Sequence, residues 1–309
     1  MKKIIYTILQ YSGFNYIYSL FLNRRVFIVM YHSVSDPGNA GRLHGHLYSH
    51  ISVGRDGFEQ QIAYMKKRGH TFISFRDLGK PEVESMRKPT IIYFDDGFKD
   101  VYETAVPILR KYGAPATLFL VTGVLDRTHM LWTILYKDAL ARRGASEAEQ
   151  AQKIDLIKSR DERFRIEAMQ GFSIKDHMRL FEAFMSWDDV RELSRSGFEV
   201  GSHGVTHSRL TELTDGEMQE ELARSKSRLE NEAASHVICL SLPYGRGNDA
   251  VVSAAHAAGY KHVVSAGLGL NRLSATYRHP GTFLKNVSPR PGESLMMFKL
   301  RLYSLNLNK

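Results

Sequence analysis

A chain of 309 residues with 43% hydrophobic content is long for one domain but fits a single α/β barrel. One cysteine excludes an internal disulfide framework, and Cys239, in the apolar run Val237-Ile238-Cys239-Leu240, reads as a core residue. The net charge of +9 favours anionic partners, but the basic residues are spread out and no zinc-finger or RNP pattern appears, which argues against nucleic acid.

Residues 1–25 form an N-terminal amphipathic segment. Met1-Lys2-Lys3 and the run Ile4–Leu9 look like the start of a signal peptide. Gln10, Ser12, Gly13 and Asn15 then interrupt the run, and no small-x-small cleavage site follows. A membrane span needs about 20 predominantly apolar residues, which this segment lacks. Ile5, Leu9, Tyr16 and Leu20 recur near helical spacing among Tyr6, Tyr11, Phe14 and Tyr18. That pattern predicts either an interfacial helix on an anionic membrane or a helix packed on the domain. The expected location is the cytoplasm or the inner face of the membrane, with the periplasm as the alternative.

The main domain is predicted over 26–285. Residues 26–33 read as a first strand, Phe58 to Arg68 as an amphipathic helix stopped by Gly69, and 71–75 as a short strand. A strand over 90–94, a helix from Val101 to Tyr112 and a strand from Thr117 to Val121 follow. Strand-then-helix order implies a parallel sheet or barrel. Residues 126–185 break the alternation and read as a helical insertion, longer than an ordinary connection. Leu131-Trp132 at its start is read as a sugar platform, a lipid contact or core packing. The alternation resumes at Phe198, with helices over 215–231 and 249–259 and strands over 237–240 and 262–265. Residues 286–309 form a C-terminal tail, in which Phe298–Leu305 is a surface contact or a final strand.

Two short segments carry chemistry. Asp95-Asp96-Gly97 ends the apolar run Thr90–Phe94, and His203-Gly204-Val205-Thr206-His207 follows Phe198–Gly201. Alone, the first is as easily a turn and the second a solvated helix face. Together at strand ends they offer one carboxylate and two imidazoles to a metal, leaving a coordination position open. A bound divalent ion lowers the pKa of its water towards about 7. The second carboxylate is then free to serve as a base, which is the equipment for amide or ester hydrolysis.

At these residues the chain resembles the polysaccharide deacetylases, the NodB-homology or carbohydrate esterase family 4 group. Tyr93-Phe94-Asp95-Asp96-Gly97 is similar to the first motif. His203–His207 is similar to the second, with Gly204 in the Ser/Thr place. Pro243-Tyr244-Gly245 is similar to the end of the third. Ser186–Leu193, Ser196–Ser202, Met30–Ser35 and Phe58–His70 match the usual flanks. The resemblance covers about 26–125 and 186–285. It implies a distorted (β/α)7 barrel of the NodB/polysaccharide deacetylase type and a hydrolase that removes an N-acyl group, N-acetyl by preference, from an amino sugar in a surface polysaccharide or a lipid-linked glycan.

Carried over residue by residue, the resemblance implies Asp96, His203 and His207 as ligands of a divalent metal, Zn2+ with Co2+ or Ni2+ as alternatives. It implies Asp95 as general base, the Tyr244 backbone N–H as oxyanion donor, and His279 as candidate general acid, against an ordinary His before a Pro-Gly turn. His32, Pro243 and Tyr244 are candidate substrate-binding residues. The chain departs from the family at Ser241, where many members carry an Arg that orients the base, and the fourth motif is not recognisable near Gly259–Ser265. Those departures keep two alternatives open: a periplasmic peptidoglycan or exopolysaccharide deacetylase, and a non-catalytic glycan-binding relative.

Overall fold

The protein is seen in a computed structural model that describes residues 25–36, 49–272 and 283–303. The N-terminal segment 1–24 and His279 lie outside the described residues. Seven parallel strands form a nearly closed barrel: β1 (Arg25–Tyr31), β2 (Pro89–Phe94), β3 (Thr117–Leu120), β4 (Glu199–Ser202), β5 (Cys239–Ser241), β6 (His262–Leu268) and β7 (Leu284–Asn286). The register runs from Phe27↔Thr90 to Tyr31↔Phe94 between β1 and β2, and from Thr117↔Glu199 to Leu120↔Ser202 between β3 and β4. Val287, just past β7, returns to β1: Met30 N–H donates to its carbonyl at 2.9 Å and its own N–H donates to the Ile28 carbonyl at 2.8 Å. Thr71–Ile73 lies along the first half of β2, and Asn271–Arg272 pairs antiparallel with the start of β1.

Parallel strands covered on both faces need apolar side chains on both. All six residues of β2 are buried. Alternate residues serve two cores, as the two-residue period of a strand requires. Val26, Ile28, Ile91, Tyr93, Phe119, Cys239 and Val264 fill one; Phe27, Val29, Tyr31, Ile92, Phe94, Leu118 and Leu120 pack into the other with helix residues such as Phe58, Ile62 and Leu222. Cys239 is accordingly buried, as its apolar setting predicts.

The outer helices include α1 (Arg55–Lys67), α2 (Val106–Tyr112), α6 (Trp187–Arg195), α7 (Asp215–Ala233) and α8 (Asp249–Ala257), with the insertion helices α3 (Trp132–Arg142), α4 (Glu147–Lys158) and α5 (Glu162–Met169) between α2 and α6. The predicted helix from Val101 is a π-turn over Val101–Ala105 before α2 begins. Pro107, which has no N–H to give, sits at that junction. The insertion is helical as expected, with a capping box between Ser146 and Glu149 and an Asp161 cap on the Phe164 N–H. It rejoins the barrel where Phe184 stacks on Phe98 at 5.0 Å and Met185 N–H reaches the Gly97 carbonyl.

The strand reading of the tail is corrected. Leu295–Tyr303 is a helix, α9, burying Phe298, Leu300, Leu302 and Tyr303. Its Leu, Met, Lys and Arg side chains are good helix formers, and none is β-branched. Tyr303 anchors it through His70. The Thr90 hydroxyl donates to the Lys88 carbonyl, so it accepts from His70 Nδ1–H at 2.7 Å. His70 Nε2 is then the acceptor for the Tyr303 hydroxyl at 3.0 Å.

Burial lowers the His70 pKa to about 3, with the Lys88 charge adding to the effect. A lowered base stays neutral when folded while the unfolded chain takes up a proton below about 6.5. Stability is therefore full above about pH 6.5 and falls as pH drops towards 3, by up to about 1.4 kcal/mol per pH unit for this one group. Urea unfolding between pH 7.5 and 4.5 is expected to show a fall of this sign, and His70→Gln should lessen it by this one group's share, the rest coming from other histidines whose pKa burial lowers, such as His203 and His262. An equal slope in the variant would remove His70 as a source.

Candidate metal centre

Both chemical segments sit at carboxyl ends of barrel strands, where loops leave the sheet. Asp95 still follows the ladder, its N–H reaching the Tyr31 carbonyl at 3.0 Å. The chain then turns sharply: Asp96 has φ +72° and Gly97 φ +84°. His203 continues β4 with its N–H on the Leu120 carbonyl, Gly204 lies at φ +82° and His207 at φ +59°. Six non-glycine residues among those described have left-handed φ, and three of them are Asp96, His207 and Tyr244. Such strain costs about 1–3 kcal/mol per residue and collects where function over-determines the backbone.

Glu221, on α7, holds the histidine loop. It accepts from the Val205 N–H at 2.7 Å, the Thr206 N–H at 3.1 Å and the Thr206 hydroxyl at 2.6 Å. Gly204 therefore has a physical reason to stand in the Ser/Thr place. Its left-handed φ suits glycine, and a Cβ there would come within 3.0 Å of Glu221 Oε2.

Asp96, His203 and His207 each bring a ligand atom within 4.8 Å of the others. Asp96 Oδ1 is 3.6 Å from His203 Nε2 and 3.5 Å from His207 Nε2, and it is buried with no hydrogen-bond partner. Ligand atoms at about 2.0–2.1 Å from a tetrahedral ion stand roughly 3.3 Å apart. His203 Nδ1 lies 2.8 Å from the Ser241 carbonyl, an acceptor only, so Nδ1 carries the proton and Nε2 presents a lone pair to the centre. Burial holds the His203 pKa down at about 3 and lowers that of His207 well below the usual value. Both rings are therefore neutral near pH 7, as ligation needs. Burial also raises Asp96 to about 7. The donor set, the orphaned oxygen and the spacing all fit a divalent cation.

Asp95 lies beside this trio. Burial, and then the Asp96 carboxylate, raise its pKa well above the usual range, while a hydrogen bond from the Ser241 side chain opposes the rise. Its Oδ1 is buried without a partner. Ser241 thus serves both halves of the site, its carbonyl on His203 and its hydroxyl on Asp95. Tyr93 beneath accepts from Asn286 Nδ2 at 2.9 Å. His32 is half-buried, and its charge would lower the pKa of both His203 and His207, placing it beside them. Burial and the neighbouring His50 bring its own pKa to about 4.

Pro243-Tyr244-Gly245 closes the site. Tyr244 has φ +58° and its ring centroid is 4.8 Å from that of His207. Gly245 is required at φ +63°, because a Cβ there would meet the Ala266 backbone. Trp132 is half-buried, and its indole N–H donates to the Tyr244 hydroxyl at 2.8 Å. The sugar-platform, lipid and core-packing readings of Trp132 all miss this contact, which spans 112 positions. Sequence reasoning also misses Glu221 and Asn286. Both look like ordinary polar residues until the fold delivers them.

A seven-stranded barrel with an acid and two histidines at its strand ends defines a hydrolase of the deacetylase class. The family model for polysaccharide deacetylase matches residues 82–263, and the chain belongs to that family. It is similar to the Bacillus subtilis (strain 168) protein YxkH, at 24% identity over 282 residues, 90% of this chain and 76% of that one. It is 36% identical over 74 residues to the poly-beta-1,6-N-acetyl-D-glucosamine N-deacetylase of Staphylococcus aureus, a match spanning 23% of this chain and 26% of that one. The fold is shared with the Streptococcus pyogenes deacetylase PplD, solved with acetate, at a TM-score of 0.62 and 22% identity over 91% of this chain and 99% of that one.

Proposed function

We propose that the chain is a metal-dependent N-deacetylase acting on an N-acetylated amino-sugar glycan of the cell envelope. The observation that carries this reading is a largely buried Asp-His-His trio with an orphaned ligand oxygen and a second carboxylate beside it whose Oδ1 is also without a partner. A divalent cation on Asp96, His203 and His207, Zn2+ before Co2+ or Ni2+, supplies Lewis acidity and acidifies water when bound. Asp95 takes a proton from the attacking water. The Tyr244 backbone N–H donates to the oxygen of the former carbonyl as it gains charge. His32 and Pro243 line the substrate side. His279 is the candidate proton donor to the leaving amine.

The short match to the staphylococcal enzyme supports a glucosamine glycan, either an exopolysaccharide or its lipid-linked precursor. The basic, aromatic segment 1–25 supports a peripheral site at the inner face of the membrane. No described helix is long and apolar enough to cross a membrane. Removal of residues 1–24 should shift the protein from membrane to soluble fractions, and unchanged fractionation would defeat the membrane proposal. For the activity, β-1,6-linked N-acetylglucosamine oligomers should release acetate, with release lost to a chelator and restored by zinc. Release that ignores the chelator would defeat the metal-dependent reading.

A further inference from the structure

The helical insertion reaches into the site through two side chains that nothing in the proposed chemistry uses. Trp132, the first residue of α3, donates its indole N–H to the Tyr244 hydroxyl at 2.8 Å. Arg165, on α5, lies with its guanidinium 4.7 Å from the centre of the Tyr244 ring and 5.9 Å from that of Trp132. Arg209, two residues past His207, adds a second guanidinium at 5.2 Å from the Tyr244 ring.

Arg165 is an unusual residue to bury. It is 1% exposed, and its ion pair is with Glu162 on its own helix. Nε and Nη1 have no hydrogen-bond partner among the described residues. A buried cation so poorly served is a net destabiliser of the fold unless the aromatic face repays it. A desolvated cation over a tyrosine ring is a substantial attraction. Glu162 is in turn tied to the histidine loop, since its Oε2 accepts from the Arg209 N–H at 3.1 Å.

The residue so gripped is the strained one. Tyr244 is bulky and sits at φ +58°, a region that non-glycine residues rarely occupy. Its turn is fixed from inside by Gly245 against Ala266 and by the Ser265 hydroxyl on the Gly245 carbonyl at 2.7 Å. From outside, it is fixed by Trp132 and Arg165. The hydroxyl and the ring are the handles, and the backbone N–H is what must point correctly.

We propose that Trp132 and Arg165 are positioning residues through which the insertion locks Tyr244 in its left-handed turn and aims its backbone N–H at the acyl oxygen. This rests on the deacetylase reading of the site. The insertion is then part of the reaction apparatus, and its packing sets turnover as well as access. A displacement far smaller than a lost contact is enough, because about 1 Å of misplacement can lower a rate about 100-fold.

The test is a double-mutant cycle on the full chain with zinc bound, following acetate release from β-1,6-linked N-acetylglucosamine oligomers and, in parallel, from an aryl acetate ester. Trp132→Phe keeps an aromatic ring and removes the N–H donor together with part of the indole's bulk. Tyr244→Phe removes only its acceptor. Each is expected to lower kcat about tenfold with KM within about twofold and zinc content unchanged, and the double variant should be no slower than the slower single. Arg165→Met is expected to lower kcat likewise, and Arg165→Lys to recover part of the loss. An unchanged kcat in Trp132→Phe, losses that multiply in the double variant, or a loss of zinc or of thermal stability that accounts for the lower rate would each overturn the proposal. Wild-type protein that releases no acetate from either substrate would instead overturn the deacetylase reading on which it rests.

Discussion

Replacing His203 by Ala is expected to empty the metal centre and abolish acyl release. His203 is the most constrained of the three ligands. Its Nδ1 is committed to the Ser241 carbonyl, its backbone N–H to the Leu120 carbonyl, and its side chain is almost wholly buried. Removing it leaves Asp96 facing a single imidazole in a site whose burial already raises the carboxyl to about 7. A carboxyl in that state takes a proton in preference to remaining charged. The loss of affinity should exceed the roughly 10–100-fold that follows loss of an outer partner alone.

Metal content by mass spectrometry, after identical dialysis of wild type and variant, reads the result directly. Near-stoichiometric metal in the wild type and none in the variant is the expected outcome; equal metal in both would place the ion elsewhere. The same logic gives a pH dependence. With both imidazoles neutral down to acid pH, Asp96 is the ligand whose proton competes with the cation. Apparent affinity should therefore decline by about tenfold per pH unit below about pH 7.

Much of this site is legible in the sequence because its elements are local. An apolar run ending in Asp95-Asp96-Gly97 is already a strand delivering carboxylates to a turn, and the structure places β2 and that turn at the expected residues. His203 and His207 are four residues apart, so no long-range fold need be assumed to bring them together. The supporting shell is not legible, for the opposite reason. Glu221, Ser241, Trp132 and Asn286 act on partners 15 to 193 positions away. Nothing in the local spacing announces such pairs. The left-handed backbone at Asp96, His207 and Tyr244 is equally silent, since none of the three is a glycine. Gly204 shows the converse: a departure from the family pattern that the backbone angle explains. The tail shows the limit of a short apolar alternation, because Phe298–Leu305 reads equally as strand until α9 is seen packed through Phe298 and Leu302.

The missing Arg at position 241 makes the base the sharpest test of whether this member uses the same chemistry by another route. Replacing Asp95 by Asn is expected to leave metal content unchanged and lower turnover by about 10²–10⁴-fold, equivalent to about 2.7–5.5 kcal/mol of barrier. The amide keeps the shape of the carboxylate and accepts the Ser241 hydrogen bond, but it cannot take a proton. Burial is the main reason the Asp95 pKa is raised, and the Asp96 charge is second. A divalent cation on Asp96 would more than cancel the second effect and oppose the first, which keeps Asp95 ionised and able to take a proton. Ser241→Ala tests the hydroxyl that both orients Asp95 and opposes the rise in its pKa. It removes the hydroxyl from Asp95 while its carbonyl still receives His203 Nδ1–H, so a roughly tenfold fall in kcat with metal retained is the expected result. If Asp95→Asn turned over like wild type with its metal in place, the proton would have to leave by another group, and the orphaned Oδ1 of Asp95 would need a different explanation.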